Sequence, residues 1–410
     1  MPPPRQVWYR DYHSVGGRLL DDVVFCYFAG PHSYTGEDLL EISCHGNPFI
    51  ISKIIEDLAR RGCRLAEPGE FTKRAFLHGR LDLTEAEAVM DVIRARSDEA
   101  LSAAQRQLRG ALRQRIDALI ARLLDLCATV EGHVDFPEDD LPEEDRRAWR
   151  DALLALAADI QALAATRRES DWLREGLKIV LVGAPNAGKS SLLNRLVGFE
   201  RAIVSPDPGT TRDFIEERIL LEGWCIRLFD TAGLREASRA VEQAGVARTL
   251  ERMREADIVL LVLDAALPYP AMPDEVLRRL HAGPALIAVN KCDLNRQVRI
   301  PEGLDVPTLP ISAVRGDGIE TLRARLLALV RDMAAPSSGE TVVVNARHEA
   351  CLLEAANAVN RAASLLDAST AIDCAASDLR AAVDALGGIV GRIDHELVLD
   401  RLFAQFCIGK

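Results

Sequence analysis

The chain has 410 residues, 48% hydrophobic and 27% charged, which suits a globular protein of two or three domains. A net charge of -12 excludes a basic nucleic-acid coat, and aromatics at 5% beside abundant Ala and Leu lean helical. Nine cysteines, with no CxxC pair and no Cys/His cluster at zinc spacing, fit reduced thiols. The start, MPPPRQVWYR, has no apolar signal core, and no apolar run approaches a membrane-spanning length, so a cytoplasmic location without membrane contact is expected.

In chain order, residues 1–83 mix β-like runs (DDVVFCYF, LLEISCHG) with turns and one helical pattern, IISKIIEDLARRG, and read as a small α+β domain. From Thr84 apolar residues recur at three- and four-residue steps to about Val134, predicting one long helix capped by Thr84 and Glu87. The acidic stretch DFPEDDLPEED (135–145) predicts a solvated loop, and a second helical run covers 146–174. At Leu177 the texture changes. LKIVLVG, IVLLVLDA (258–265) and ALIAVN (285–290) are buried-strand patterns of a parallel sheet. MAAPSSGE (333–340) reads as a linker, after which the helical texture returns to the end. The fold class expected is multidomain α+β: the N-terminal domain, a helical domain built from 84–175 and 341–410, and a P-loop α/β domain, 176–335, inserted into it.

Residues 183–190 read GAPNAGKS, a GxxxxGKS loop between a strand and a helix. Its glycines turn backbone N–H groups toward a phosphate, Lys189 reaches the β/γ oxygens, and Ser190 offers a hydroxyl to Mg²⁺. The loop set is Asn186, Ala187, Gly188, Lys189, Ser190 and Ser191. Downstream, GTTRD offers Gly209, Thr210 and Thr211 as a γ-phosphate sensor. DTAG brings Asp230, Thr231, Ala232 and Gly233 to the Mg²⁺ shell and the γ-phosphate. In NKCD, Asn290 and Lys291 precede Asp293, whose carboxylate can accept from guanine N1–H and N2–H₂, a donor pair adenine lacks. Ser312 and Ala313 follow LPI, placed to buttress the base. Five elements in order point to GTP as substrate.

Many GTPases carry Gln after DTAG to orient water; here that residue is Leu234. Glu242 is the candidate base, or a plain helix carboxylate. Asn186 is a turn-former or a ligand for a monovalent cation that supplies charge in place of an arginine finger. The terminal CIGK is a poor lipid box, because Gly409 is not aliphatic. Cys407 is therefore a core cysteine or a functional thiol, and Lys410, if close, lowers its pKa. The basic run RQLRGALRQRIDALIAR (106–122) is a solvated helix face or a nucleic-acid contact.

GAPNAGKSSLLN, PGTTRD, DTAGLR, NKCD and CIGK together resemble the MnmE (TrmE) family of tRNA modification GTPases, as do YTGEDLLEISCHG, PGEFTKRAFLHGRLDLTEAEAV and VDFPEDD. The resemblance implies a folate-binding N-terminal domain that forms a homodimer, and a GTPase domain inserted in a helical one. It implies a heterotetramer with an FAD-dependent partner, MnmG, acting on the wobble uridine of tRNA with 5-formyl- or methylene-tetrahydrofolate as one-carbon donor. GTP hydrolysis is expected to be stimulated by K⁺ and by pairing of GTPase domains. By the same resemblance Asn186, Ser205, Asp207 and Thr210 surround K⁺, Ser190 and Thr211 bind Mg²⁺, Glu242 is catalytic, and Cys407 acts near the folate and substrate. Glu41, Arg80 and Lys410 touch folate. The family's Gly/Arg-rich leading segment does not precede MPPPRQVWYR, so an exposed sheet edge and one fewer folate contact are expected. Rival readings are a regulatory GTPase of the ribosome-assembly type, without folate, and a GTP-gated scaffold with negligible turnover.

Overall fold

The structure is a computed structural model that describes residues 2–135, 146–198, 215–230, 250–295, 297–301, 303–334, 342–367, 372–391, 403 and 406. In chain order its elements begin with β1 (Val7–His13), β2 (Leu19–Phe28), β3 (Leu39–Ser43), α1 (Pro48–Arg60), α2 (Glu70–Leu77), α3 (Leu83–Arg94), α4 (Asp98–Leu108) and α5 (Ala111–Asp135). Then come α6 (Arg146–Ala165), α7 (Arg167–Glu175), β4 (Leu177–Val182), α8 (Lys189–Val197), β5 (Ile215–Leu221), β6 (Trp224–Asp230) and β7 (Ile258–Asp264). The last are α9 (Asp274–Ala282), β8 (Ala285–Asn290), β9 (Thr308–Pro310), α10 (Ile319–Ala334), α11 (Ala346–Asp367) and α12 (Ile372–Val390). The chain divides into two compact units, one of residues 1–90, 107–161 and 350–410, the other of 91–106 and 162–349.

The first unit opens with an antiparallel meander, β1-β2-β3. Val23 is buried, and Asp57 of α1 accepts from Tyr12 Oη (3.0 Å), Val15 N (2.7 Å) and Arg61 Nε (2.7 Å). Most of the unit is helical. Along α5, Leu112, Ile116, Leu123 and Val130 are buried, and α12 packs on that helix with Leu379, Leu386 and Ile389. Cys127 lies in this core. Its thiol donates to Glu131 Oε1 (3.1 Å), and burial pushes its pKa up to about 11, so it is an inert thiol. Near the C-terminus, Phe403 and Phe406 pack with Phe76, Ala86 and Met90. Gly69, at φ 69°, allows that approach: a Cβ there would stand 2.6 Å from the Phe403 carbonyl oxygen.

Two expectations about the first helices need correction. The single long helix is three helices. The Ser97 hydroxyl accepts from Ala100 N (3.2 Å) and starts α4, and Gly110, at φ 84°, separates α4 from α5. The cap of α3 is not Thr84 with Glu87 but Asp82 with Glu85. Asp82 Oδ1 accepts from Glu85 N (2.8 Å), and Glu85 Oε2 accepts from Asp82 N (2.9 Å). Thr84 instead donates its hydroxyl to Asp82 Oδ1 (2.7 Å), and both Thr84 and Glu87 are buried. The acidic stretch, apart from Asp135 at the end of α5, and most of the 333–340 linker lie outside the described residues.

The second unit is a six-stranded sheet, β5-β6-β4-β7-β8-β9. All neighbours run parallel except the β5–β6 hairpin. Alternate residues of β4 enter opposite cores: Ile179 and Leu181 meet Leu192, Leu193, Leu322 and Leu326, whereas Val180 and Val182 meet Met253, Val276 and Leu280. A sheet covered on both faces demands near-continuous apolar strands, which is what LKIVLV, IVLLVLD and ALIAVN supply. Away from the carboxyl ends, Asp257 binds Lys178 N (2.9 Å) and Arg168 of α7 (3.3 Å). Ser170 of α7 accepts from Val344 N (2.8 Å), so the segment entering the sheet and the segment leaving it are joined.

Candidate nucleotide site

The site is built at the carboxyl ends of β4, β6, β7 and β8, where a parallel sheet leaves a crevice. β4 runs into the loop 183–188 and α8 begins at Lys189. Gly183 has φ 155°, and a Cβ there would lie 2.2 Å from the Val262 carbonyl oxygen of β7, so only glycine lets the loop leave the strand. Gly188, at φ 94°, lies equally close to a neighbour: a Cβ would stand 2.1 Å from Asn290 Nδ2. Asn186 takes the left-handed conformation at φ 61°, as short polar side chains can.

Lys189 is buried, and its ammonium donates to the carbonyls of Gly183 (2.8 Å) and Ala184 (2.9 Å), arching back over the loop. Burial pulls its pKa below the usual lysine range, while the Asp230 charge opposes that shift. Ser190 Oγ donates to Asp230 Oδ2 (2.7 Å), and Asp230, at the end of β6, is buried. A hydroxyl and a carboxylate brought together beside the loop are the hard oxygen donors that Mg²⁺ takes.

The base-side pieces converge on one buried side chain. Asn290 Nδ2 donates to the Ala187 carbonyl (2.9 Å), and Asn290 Oδ1 accepts from Ala313 N (2.9 Å). The phosphate loop and the 312–313 loop therefore share a strut. Ser312 and Ala313 are buried, whereas Asp293 is exposed. A hydrogen bond from Ser312, one from its own backbone and the Arg315 charge hold the Asp293 carboxyl below the usual carboxylate range. It stays an anion that can only accept, which is what a pair of N–H donors requires. Lys291 donates to Asp264 Oδ2 (2.5 Å) at the end of β7. Asp264 was not singled out by motif, although a lone carboxylate closing an apolar strand was its signal.

The structure thus brings together Asn186, Ala187, Gly188, Lys189, Ser190 and Asp230, with Ser191 exposed on the first turn of α8, and on the base side Asn290, Lys291, Asp293, Ser312 and Ala313. Ser205, Asp207, Gly209, Thr210, Thr211, Thr231, Ala232, Gly233, Leu234, Glu242, Cys407 and Lys410 lie outside the described residues. Glu41, on β3, and Arg80, after α2, belong to the first unit and are exposed. Among the described residues no group of three or more His, Cys, Asp or Glu could hold a metal ion, and no helix is long and apolar enough to cross a membrane. The described cysteines are free thiols.

A parallel sheet with a GxxxxGKS loop at its carboxyl edge, a hydroxyl–carboxylate pair beside it and an acceptor-only base loop defines a P-loop nucleotide-binding protein. Residues 1–80 match the family model described as "GTP-binding protein TrmE N-terminus", and residues 83–407 match that of the MnmE helical domain. The chain is 47% identical over all of its length to the tRNA modification GTPase MnmE of Opitutus terrae, covering 91% of that protein. It is 44% identical over 96% of its length to MnmE of Symbiobacterium thermophilum, covering 87% of it. Among solved structures, 37% of the chain is similar to 98% of the G domain of the T. maritima FeoB iron transporter, at 27% identity and a TM-score of 0.27. The chain belongs to the MnmE family of tRNA modification GTPases, and by that membership it is a GTP-hydrolysing enzyme.

Proposed function

We propose that the chain hydrolyses GTP with the help of K⁺ and couples that step to modification of the wobble uridine of certain tRNAs. It would do so as a homodimer in the cytoplasm, paired with an FAD-dependent MnmG partner in a heterotetramer. The product would be an aminomethyl-type group at C5, its carbon drawn from 5-formyl- or methylene-tetrahydrofolate. The observation that carries the GTPase part is the Asn290 strut, which ties the phosphate loop to the loop buttressing the base. Full-length similarity to tRNA modification GTPases supports the tRNA part.

In this reading Lys189 leaves the loop carbonyls for the β/γ-phosphate oxygens, and the backbone N–H groups of 183–188 cradle the phosphates. Ser190, with Thr211, would hold Mg²⁺, with Asp230 behind them; that ion supplies neutralising charge at the phosphates. Asn186, with Ser205, Asp207 and Thr210, would hold K⁺. The exposed, left-handed Asn186 offers the kind of oxygen donor such an ion takes. Glu242 would orient the attacking water, since Leu234 cannot. Asp293, held ionised by Ser312 and Arg315, would select guanine. Glu41, Arg80 and Lys410 would contact folate, and Cys407 would act near it. The division into 1–83, 84–175 with 341–410, and 176–335 belongs to the same proposal.

The test is GTP hydrolysis by the full chain in KCl against NaCl at equal ionic strength. A several-fold preference for K⁺ is expected, and equal rates in both salts would remove the cation from the mechanism. Guanine selection has its own check: Asp293→Asn should exchange preference from GTP toward XTP, because an amide donates to the C2 oxygen that xanthine carries there.

A further inference from the structure

α8 carries Lys189 and Ser190 at its start and Arg195 in its last turn, so one helix begins at the phosphate loop and ends beside the loop that buttresses the base. Arg195 Nη2 donates to the Arg315 carbonyl (3.3 Å). The next residue, Gly316, takes φ 93°, and a Cβ there would stand 2.2 Å from the same Nη2. The guanidinium therefore lies against bare backbone, a space that only glycine leaves open. The peptide unit between Arg315 and Gly316 is held on two sides. Its carbonyl accepts from Arg195, and its N–H donates to the Ser312 carbonyl (2.7 Å). Ser312 N in turn donates to the Asp317 carbonyl (2.9 Å), and Ser312 Oγ accepts from Arg315 N (3.2 Å).

A peptide unit that turns over loses both of its bonds together. Here the loss would reach the base side directly, because Ser312 hydrogen-bonds Asp293 and the neighbouring Ala313 N donates to Asn290 Oδ1 (2.9 Å). The Asn290 strut holds this loop from within the core; Arg195 holds its outer side. We propose that Arg195 is a positioning residue that latches the 312–318 loop: by holding the Arg315 carbonyl it keeps the 315–316 peptide from turning over, and so slows the escape of bound guanine nucleotide. The latch weighs most on GDP, which lacks the γ-phosphate and the contacts made to it. The gain is preorganisation, since the loop keeps its bound shape when it is empty. This rests on the guanine-nucleotide reading of the crevice and adds a control on release to it.

The test uses the full chain loaded with a fluorescent GDP and chased with unlabelled GDP, and reads the dissociation rate. Arg195→Ala should release GDP about fivefold faster, the scale of one lost hydrogen bond, with the association rate unchanged. Arg195→Lys keeps one donor on a flexible stem without the planar fork, and should fall between that variant and the wild type. Gly316→Ala puts a methyl where Nη2 lies and pushes the guanidinium off the carbonyl, so it should also speed release. In the Gly316→Ala background, Arg195→Ala should then have no further effect, because no latch remains to be removed. The proposal is overturned if Arg195→Ala leaves the release rate unchanged, or if it speeds release equally in both backgrounds. It is also overturned if Arg195→Ala only lowers the melting temperature of the nucleotide-free chain, as a merely structural contact would. Should Gly316→Ala fail to fold, the release rates of Arg195→Ala and Arg195→Lys decide. Wild-type protein with no affinity for GDP would instead sink the reading of the site itself, and the two failures are distinguishable.

Discussion

The two sheets of this chain are stabilised in opposite ways. In the second unit, β7 and β8 are buried residue after residue, and both of their faces lie in apolar cores. In the first, β1 and β3 are mostly exposed, with Val7, Tyr9 and Leu40 all more than half open to solvent. The buried sheet is held by area and keeps its polar side chains for the strand ends, where Asp230, Asp264 and Asn290 meet the loops. The exposed meander is held by charged side chains reaching into it. Asp57 collects Tyr12, Val15 and Arg61, and Asp21 accepts from His45 N and Nδ1 at 2.8 Å each. A function that needs a rigid cradle belongs on the first kind of sheet. The second kind can present a surface but relies on ionisation to keep its shape.

That contrast breaks most visibly at Asn290. Asn290→Ala would leave the Ala187 carbonyl and the Ala313 N–H buried without their partner, at a cost of about 2–4 kcal/mol. Hydrogen exchange should show the loss in the amides of β4, β7 and β8, with those of β1–β3 unchanged. GDP affinity should fall too, since the phosphate loop and the base loop lose their common strut. Uniform loss of protection in both sheets would mean that the two do not differ in the way argued.

The same contrast governs what could be read in advance. The buried strands were legible because near-continuous apolar runs ending at Gly183, Asp264 and Asn290 are local patterns. The exposed strand VWYRDYH carries no such signal, because neither of its faces is fully buried. The break of the long helical pattern at Ser97 and Gly110 was masked by a helical period that continues across both. Its cap was misplaced by two residues because Thr84 and Glu87 satisfy the same spacing rule as Asp82 and Glu85, and only the hydrogen bonds choose between them. Long-range partners were out of reach: Asn290 and Ala187 are 103 residues apart, and Lys291 and Asp264 are 27 apart.

The helix start offers the next, smaller test. Asp82→Ala removes the acceptor for Glu85 N and Thr84 Oγ1 and should cost about 1 kcal/mol by urea denaturation. Asp82→Asn, which keeps an oxygen in place, should recover most of it. If Thr84→Ala or Glu87→Gln proved equally costly, the cap would lie where the spacing alone had put it.

The smallest expected effect concerns Glu70, at the start of α2. Arg64 grips it through Nη1 (2.8 Å) and Nη2 (2.5 Å), and Glu67 N donates to Oε2 (2.9 Å). The Arg64 bonds, then the Glu67 backbone bond, hold its pKa down to about 2, against an ordinary value of 4.5. A carboxyl depressed on folding stabilises the folded state above its unfolded pKa, and that contribution drains away as pH falls toward the folded one. Melting temperature should therefore fall between pH 4.5 and about 2 partly through Glu70, and Glu70→Gln should flatten that part of the curve while changing little at neutral pH. The effect is modest because Arg64 is exposed and water screens the pair. Arg64→Lys sharpens the test: it keeps the charge but loses the two-pronged grip, so the acid limb should shift upward toward that of an ordinary glutamate without vanishing.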